Sequence, residues 1–224
     1  MDLSPFLLTP VPAASTHEPM ATAATTLTLV RHGEIAANVE RVWHGSIDSP
    51  LTPRGREQAE RVAAHLAGIV GTAAALYTSP LRRAADTAQP IAGALAVPPQ
   101  VDPALAEYHL GVWEGLTYAE LAMRHDFFQR VLADPDFAPE GAESPRHVAT
   151  RMAAALRRIA AAHPGARVVV VSHGAALNLG LGLLLAGSCT DWSRVMRNGA
   201  VSELAFDPAP RLVRFNDAAH LDGL

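Results

Sequence analysis

The stretch LTLVRHGEIAAN, residues 27–38, passes from an apolar run directly into an arginine, a histidine and a glycine. A short, uniformly apolar run is typical of a strand that is buried on both faces of a parallel sheet. The packing of such a strand does not require an arginine and a histidine, Arg31 and His32, at its end. In open α/β sheets, however, ligands bind just beyond the carboxyl ends of the strands. The stretch therefore predicts a site there that binds and attacks an anion.

The rest of the chain alternates between apolar runs and helical patterns. The runs AALY at 74–77 and RVVVVS at 167–172 predict two more buried strands, and AVSELAFDP with PRLVRFND predicts a closing β-hairpin. Helical patterns cover 51–70, 79–95, 144–165 and 173–187. Each of the first three begins with a residue whose hydroxyl can cap a helix, namely Thr52, Ser79 or Ser144, and a proline follows that residue. This alternation predicts an α/β fold, a three-layer α/β/α arrangement with a mostly parallel central sheet.

The length of 224 residues fits one domain. We expect residues 1–26, rich in Pro, Ala and Thr, to be a flexible N-terminal leader and residues 27–224 to be a single domain. Within it, 116–140 reads as a helical excursion over the open end of the sheet, with one helix at 118–132 and then a loop. The leader lacks the basic start and unbroken apolar core of a secretory signal. No run reaches the roughly 18 apolar residues of a membrane span, so we expect a cytoplasmic protein that does not bind membranes.

The composition of the chain excludes several kinds of binding and catalysis. The net charge of −4 gives no sign of a nucleic-acid-binding face. All 18 basic residues are arginines, which excludes lysine Schiff bases and a Walker lysine but suits oxyanion binding by guanidinium forks. The single cysteine excludes an intramolecular disulfide and a CxxC zinc site. No Asp, Glu and His set shows metal-ligand spacing, so we expect no metal and no cofactor.

A second histidine–glycine pair follows a later strand. VVVVSHGAA places Ser172 and His173 at the strand end, and Gly174 opens a helix whose N-terminus favours an anion. If the two strands are neighbours, the imidazoles of His32 and His173 lie side by side. The sequence LRRA adds two arginines, Arg82 and Arg83, at the same edge. These histidines and arginines would repel one another around an empty site, and the negative charge of a bound phosphate would offset that repulsion.

Several motifs occur in one order along the chain: RHGE, Asn38, GSIDSPLTPRGREQA, SPLRRAADTA, EYHLGVWEG, VSHG and NDAAHL. In this order and spacing the chain resembles the phosphoglycerate mutase-like branch of the histidine phosphatase superfamily, over roughly residues 27–220. The resemblance implies that family's fold and a small-molecule phosphomonoester as the binding partner. A homodimer is an assembly that the sequence leaves open.

The resemblance also assigns roles to residues. It implies that His32 is the nucleophile that accepts the phosphoryl group on a ring nitrogen, and that Glu107 protonates the leaving oxygen. The family pattern S-P-L-x-R-A selects Arg83 over Arg82. The remaining implied phosphoryl and substrate contacts are Arg31, Arg83, His173, Asn38, His44 and Gly174. A neutral His32 also needs a partner for its other ring nitrogen, and we expect a backbone carbonyl.

Hydrolases and mutases of this branch share the phosphate pocket. The mutase motifs carry Ser and Trp where this chain has Ile35 and Ala37, and Arg and Tyr where it has Tyr108 and Leu110. The resemblance therefore implies a metal-independent phosphomonoester hydrolase with a phosphohistidine intermediate, acting on a small phosphorylated metabolite. A cofactor-dependent phosphoglycerate mutase and a non-catalytic phospho-ligand binding module remain the alternatives.

Aromatic residues are concentrated in the segments that would set specificity, namely Trp43, Tyr108, Phe127, Phe128 and Trp192. They would suit a substrate with an apolar or ring portion. Core packing explains the same residues, and the sequence does not separate the two explanations.

Overall fold

The computed structural model describes residues 23–224. Most of the predicted leader, residues 1–22, lies outside the described residues. The last two residues of the predicted leader, Thr25 and Thr26, already belong to the first strand.

The described chain forms six strands and seven α-helices. The strands are β1 (Thr25–Arg31), β2 (Ala75–Thr78), β3 (Pro99–Val101), β4 (Arg167–Ser172), β5 (Val201–Asp207) and β6 (Ala209–Asp217). The helices are α1 (Ala36–Glu40), α2 (Pro53–Ile69), α3 (Arg82–Leu95), α4 (Tyr118–His125), α5 (Phe127–Ala133), α6 (Pro145–Ala162) and α7 (Gly174–Ala186). Three short 3₁₀ helices lie at Pro103–Leu105, Gly111–Trp113 and Ala219–Leu221.

The six strands form one sheet in the order β3-β2-β4-β1-β5-β6. The first four strands of that order are parallel, β5 runs antiparallel to β1, and β5 and β6 form the predicted hairpin. The pairing of β1 with β4 sets Arg31 opposite Ser172. The two strands therefore end together, and the residues that follow them, His32 and His173, become neighbours, as the sequence predicts.

Helices cover both faces of the sheet. In β4, Val168 and Val170 pack into a core that includes α6 and α7, whereas Val169 and Val171 pack with residues of α2 and α3. Because side chains of a strand alternate between its faces, these two sets lie on opposite sides. The predicted three-layer α/β/α architecture is confirmed.

The caps of α2 and α6 agree with the sequence, but that of α3 does not. Thr52 and Ser144 accept hydrogen bonds from the backbone of Gly55 and His147, as predicted. The predicted start at Ser79 and Pro80 is wrong, because α3 begins at Arg82.

The physical reason is a competing use of Ser79. Its hydroxyl contacts His173 Nε2 at 2.7 Å and accepts from the backbone N–H of Leu81. The helix end is instead satisfied from a distant loop, because the Arg82 N–H donates to Asp48 Oδ1 at 2.7 Å.

The excursion is helical but not continuous. The single helix predicted for 118–132 is two helices, α4 and α5, separated at Asp126, whose φ of 47° is left-handed. The short elements α1 and β3 were not predicted. Within residues 23–224, no helix is long and apolar enough to cross a membrane.

Candidate active site

His32 lies at the end of β1, directly below a cavity. Its Nδ1 lies 2.7 Å from the carbonyl of Gly33. Because a carbonyl only accepts, Nδ1 carries the proton, which leaves the lone pair on Nε2. Burial, followed by the charges of Arg83 and Arg31, holds the pKa of His32 well below its usual range. The ring is therefore neutral at neutral pH, and the predicted carbonyl partner is confirmed.

Two buried arginines accompany this histidine. Arg31 donates from Nη1 to the carbonyl of Met196, and its Nε is buried without a partner in the described chain. Arg83 is 2% exposed and donates from its Nη atoms to the carbonyls of Gly45 and Ile47. Within residues 23–224, neither guanidinium has a carboxylate oxygen within 4.0 Å. Burial lowers the pKa of both arginines, although arginine remains charged in proteins. Buried charges are normally paired, so this pair points to a bound anion.

His173 is fully buried behind this group. Its ring centroid lies 5.1 Å from that of His32. Its Nδ1 accepts from Arg83 Nε at 3.2 Å, so its Nε2 carries the proton and donates to Ser79 Oγ. Burial, and then the charge of Arg83, holds the pKa of His173 well below its usual range. In this structure both ring nitrogens are occupied, and His173 orients Arg83 from beneath the cavity.

Glu107 lies at the N-terminus of α7. Its carboxylate accepts from the backbone N–H groups of Ala176 at 2.8 Å, Tyr108 at 2.9 Å and Ala175 at 3.3 Å. A helix N-terminus with unsatisfied N–H groups favours such a carboxylate.

The loop that carries Glu107 is fixed from α6. Arg151 donates to the carbonyls of Ala104, Ala106 and Glu107 at 2.7–3.0 Å, and it also pairs with the Glu143 carboxylate. The sequence did not single out Arg151, since one arginine within a helical pattern carries no local signal.

The cavity has a volume of about 260 Å³. Seven of the eight predicted site residues line it, and only His173 does not. The seven are Arg31, His32, Asn38, His44, Arg83, Glu107 and Gly174.

Asn38 and His44 each have one side-chain atom already occupied. The Asn38 oxygen accepts from Asn198 Nδ2 and from the backbone of Ile35, so its amide N–H groups are what it can offer a ligand. His44 Nδ1 lies 2.6 Å from Ser49 Oγ. Burial, and then the charge of Arg83, lowers the pKa of His44.

Gly174 makes room for Arg31. A Cβ atom at position 174 would lie 3.1 Å from Arg31 Cζ, which is tighter than ordinary van der Waals contact. The glycine thus lets the guanidinium lie against the start of α7.

A loop before β5 closes the site from the other side. Gly199 N–H donates to the carbonyl of Arg31 at 3.0 Å, and Asn198 Nδ2 donates to the carbonyl of His32 at 3.1 Å. The sequence missed Asn198, because an asparagine in an irregular segment gives no signal until the fold brings it to β1.

Glu114 joins two loops at the cavity edge. Its carboxylate accepts from the backbone and hydroxyl of Ser46 at 2.7 and 2.8 Å and lies 2.6 Å from His109 Nδ1. It also accepts from the backbone N–H of Leu110 at 3.2 Å and so braces the loop that follows Glu107. Among the described residues, no group of three or more His, Cys, Asp or Glu side chains is placed to hold a metal ion.

Two buried arginines with no carboxylate oxygen within 4.0 Å among the described residues, next to a neutral imidazole, are the arrangement of a protein that binds a tetrahedral oxyanion over a nucleophile. Comparison with known proteins gives the family. A model of the histidine phosphatase superfamily (branch 1) matches residues 27–218. The chain belongs to this superfamily.

Relatives and a solved structure show the same kinship. A bifunctional protein of Mycobacterium tuberculosis is 40% identical over 166 residues, which are 73% of this chain and 45% of that protein. The chain thus spans less than half of that relative. A probable phosphoglycerate mutase of Cronobacter sakazakii is 33% identical over 203 residues, 87% of this chain and 94% of the relative. The structure of phosphoserine phosphatase from Entamoeba histolytica, in complex with 3-phosphoglyceric acid, superposes with a TM-score of 0.79 at 31% identity, covering 88% of this chain and 99% of that one.

Proposed function

We propose that the protein is a metal-independent phosphomonoester hydrolase that acts on a small phosphorylated metabolite through a phosphohistidine intermediate. The observation that carries this proposal is the state of His32. Its proton is held on Nδ1 by the Gly33 carbonyl, so Nε2 is an unprotonated nucleophile next to two arginines that lack carboxylate partners.

In the first step, His32 Nε2 attacks the phosphorus atom and a P–N bond forms as the bond to the ester oxygen breaks. Phosphoryl transfer spreads negative charge over the equatorial oxygens, and Arg31 and Arg83 are placed to stabilise it. The leaving oxygen takes a proton from the carboxyl of Glu107, which must be protonated at that moment. The free alcohol then departs.

In the second step, Glu107 has become a carboxylate and takes a proton from water as the oxygen attacks phosphorus. The P–N bond breaks, the electron pair returns to His32 Nε2, and inorganic phosphate leaves. Both steps use the same residues, because the alcohol and the water occupy the same side of the phosphoryl group.

The residues at four positions favour a hydrolase over a phosphoglycerate mutase. Where mutases carry polar contacts, this chain has Ile35 in the cavity wall and Ala37, Tyr108 and Leu110 in the core. None of them offers a charged group to a phosphoglycerate. The non-catalytic alternative is disfavoured, because four of the five residues assigned to catalysis line one cavity and the fifth, His173, lies directly behind them. A cytoplasmic location, a homodimer and a single domain over 27–224 stay predictions.

The test is phosphate release from a panel of phosphomonoesters in EDTA, alongside an assay for exchange between 2- and 3-phosphoglycerate. Release in EDTA, with a labelled phosphohistidine trapped on His32, would support the proposal. Exchange without release would support the mutase, and silence in both assays would support the binding module.

A further inference from the structure

The cavity has two ends of different chemistry. The phosphate end consists of Arg31, His32, Arg83 and Glu107. Six further lining residues, which we call the apolar wall, are Val42, Trp43, Tyr118, Phe128, Trp192 and Val195. A leaving group that is bonded to a phosphoryl group at the phosphate end must lie against this wall.

The wall is held in place by its own packing. Trp43 lies at its centre, with its ring in edge contact with Tyr118 at 5.6 Å, Phe127 at 5.7 Å and Trp192 at 6.4 Å. Its indole N–H donates to the carbonyl of Tyr108 at 3.2 Å. Aromatic pairs in this geometry stabilise one another beyond their buried area. The wall is therefore formed before a ligand arrives.

The wall has no cationic group that would pair with a carboxylate, and its polar atoms are neutral donors such as the indole N–H of Trp192, which has no partner among the described residues. Among the described residues that line the cavity, the arginine and carboxylic acid side chains are Arg31, Arg83 and Glu107, all at the phosphate end. Asn178 also lines the cavity, but its Nδ2 donates to the Asp191 carbonyl and its oxygen accepts from the Arg194 N–H, both at 2.7 Å. A carboxylate on the leaving group would exchange water for a mainly apolar surface without gaining a cationic partner, which is costly.

We infer that the substrates are phosphomonoesters of aromatic or similarly apolar alcohols that carry no carboxylate. The inference rests on the proposed hydrolase function and adds its substrate class. The ring of such an alcohol packs on Trp43, Phe128 and Trp192, while the phosphoryl group occupies the phosphate end.

The first experiment compares three esters with alkoxide leaving groups: benzyl phosphate, 4-carboxybenzyl phosphate and ethyl phosphate. The first two differ by one carboxylate far from the reacting oxygen. We expect kcat/KM for benzyl phosphate to exceed each of the others by about tenfold or more. Equal or faster hydrolysis of the carboxylated ester would overturn the inference.

The second experiment tests the wall itself. Phe128→Ala removes a ring of the wall, and we expect the ratio of kcat/KM between benzyl and ethyl phosphate to fall about threefold to tenfold, chiefly through KM for benzyl phosphate. Val195→Ala, at a residue that is 59% exposed, tests the same surface with little risk to folding. The matched control is Met123→Ala on the neighbouring helix α4, 77% exposed and outside the cavity, which should leave the ratio unchanged. An unchanged ratio in both wall variants would contradict the inference.

A binding measurement separates this inference from the proposed function. Benzylphosphonate and 4-carboxybenzylphosphonate cannot be hydrolysed, and calorimetry gives their affinities. Tighter binding of benzylphosphonate, with no turnover of any ester, would overturn the hydrolase and retain the ligand class. Turnover of the esters, with tighter binding of the carboxylated phosphonate, would retain the hydrolase and overturn the ligand class.

Discussion

The phosphate end and the apolar wall are built by different means. At the phosphate end, Arg31 and His32 continue β1, and His173 continues β4, so their separation follows from strand register. The apolar wall is assembled from the loop at 42–44, the excursion helices α4 and α5, and the segment at 192–195. Backbone hydrogen bonds join the loop at 42–44 to the start of the excursion, from Trp43 N–H to Leu116 and from Tyr118 N–H to Arg41, and the rings of the wall meet edge to face.

The difference shows where each property of the site resides. The sheet holds Arg31 and His32 through main-chain geometry, while Arg83 comes from α3 and Glu107 from a loop that the Arg151 side chain fixes. The excursion carries side chains that would select the leaving group, and these side chains can be substituted without changing the sheet. Substitutions at the two regions should therefore change different kinetic quantities.

The largest effect is expected at His32. His32→Ala removes the nucleophile, and phosphate release should fall by about 10⁴-fold or more. His147→Ala, whose side chain is 66% exposed on α6, is the matched histidine control. Circular dichroism establishes that both variants are folded. Substantial phosphate release by a folded His32→Ala protein would refute the phosphohistidine mechanism.

A pair of adjacent arginines gives the next largest contrast. Arg83→Lys keeps a positive charge but loses the fork that reaches His173, Gly45 and Ile47, so kcat/KM should fall by about 10²–10³-fold. Arg82→Ala should change kcat/KM by less than about twofold, because Arg82 is exposed and pairs with Asp86. Steady-state kinetics on both variants checks this. Equal losses would mean that the selection of Arg83 over Arg82 is wrong.

Glu107→Gln should separate substrates by how much their leaving group needs a proton. In single-turnover experiments, phosphoryl transfer from benzyl phosphate should slow by about 10²-fold. Transfer from p-nitrophenyl phosphate should slow by about threefold at most, since nitrophenolate leaves without a proton. Gln retains an oxygen that can accept from Ala176, which protects the start of α7. A similar loss with both esters would argue against Glu107 as the acid.

The two buried histidines make stability depend on pH. Their pKa values in the folded protein lie well below the usual 6.5, so below about pH 6.5 the unfolded chain takes up protons that the folded chain excludes. The free energy of unfolding is thus fully retained above about pH 6.5 and should fall as the pH decreases below it.

Urea denaturation between about pH 7.5 and pH 5.5 measures this dependence. In the same range, kcat/KM should show no loss attributable to protonation of His32. A ring of His32 that titrates near 6.5 in NMR spectra would be inconsistent with its burial beside two arginines.

The smallest effect is expected in the scaffold that both regions share. Thr52→Ala removes the hydroxyl that caps α2 at Gly55, and it should lower the free energy of unfolding by about 1 kcal/mol. Because Thr52 lines no part of the cavity, kcat/KM should stay within about twofold. The urea midpoint and the kinetics together check the prediction, and a large change in kcat/KM with unaltered stability would contradict it.

The phosphate end is predictable from sequence because its signals are local. An apolar run followed by Arg31 and His32 marks a strand end, and a second run before His173 marks its neighbour. Thr52 and Ser144 cap their helices through backbone groups three residues away, which is also a local relation.

The features that the sequence did not reveal depend on contacts across the fold. Ser79 has the sequence of a cap, but His173 occupies its hydroxyl, and Asp48 from another loop caps α3 instead. The left-handed turn at Asp126 breaks the excursion helix without a glycine or proline. The aromatic residues illustrate the same limit. Trp43 and Trp192 line the cavity, whereas Tyr108 and Phe127 are buried in the core, and the sequence does not distinguish the two pairs.

The position of β1 has a consequence for how the molecule is made. Of the six described strands, β1 is the first to leave the ribosome, and it lies between β4 and β5, which are made much later. Pairings so distant along the chain form slowly. The segment with Asn198 and Gly199 holds the carbonyls of Arg31 and His32, so a nascent chain cannot complete this site until synthesis has passed it. The order of translation thus delays assembly of the site around His32 until the segment before β5 has been made.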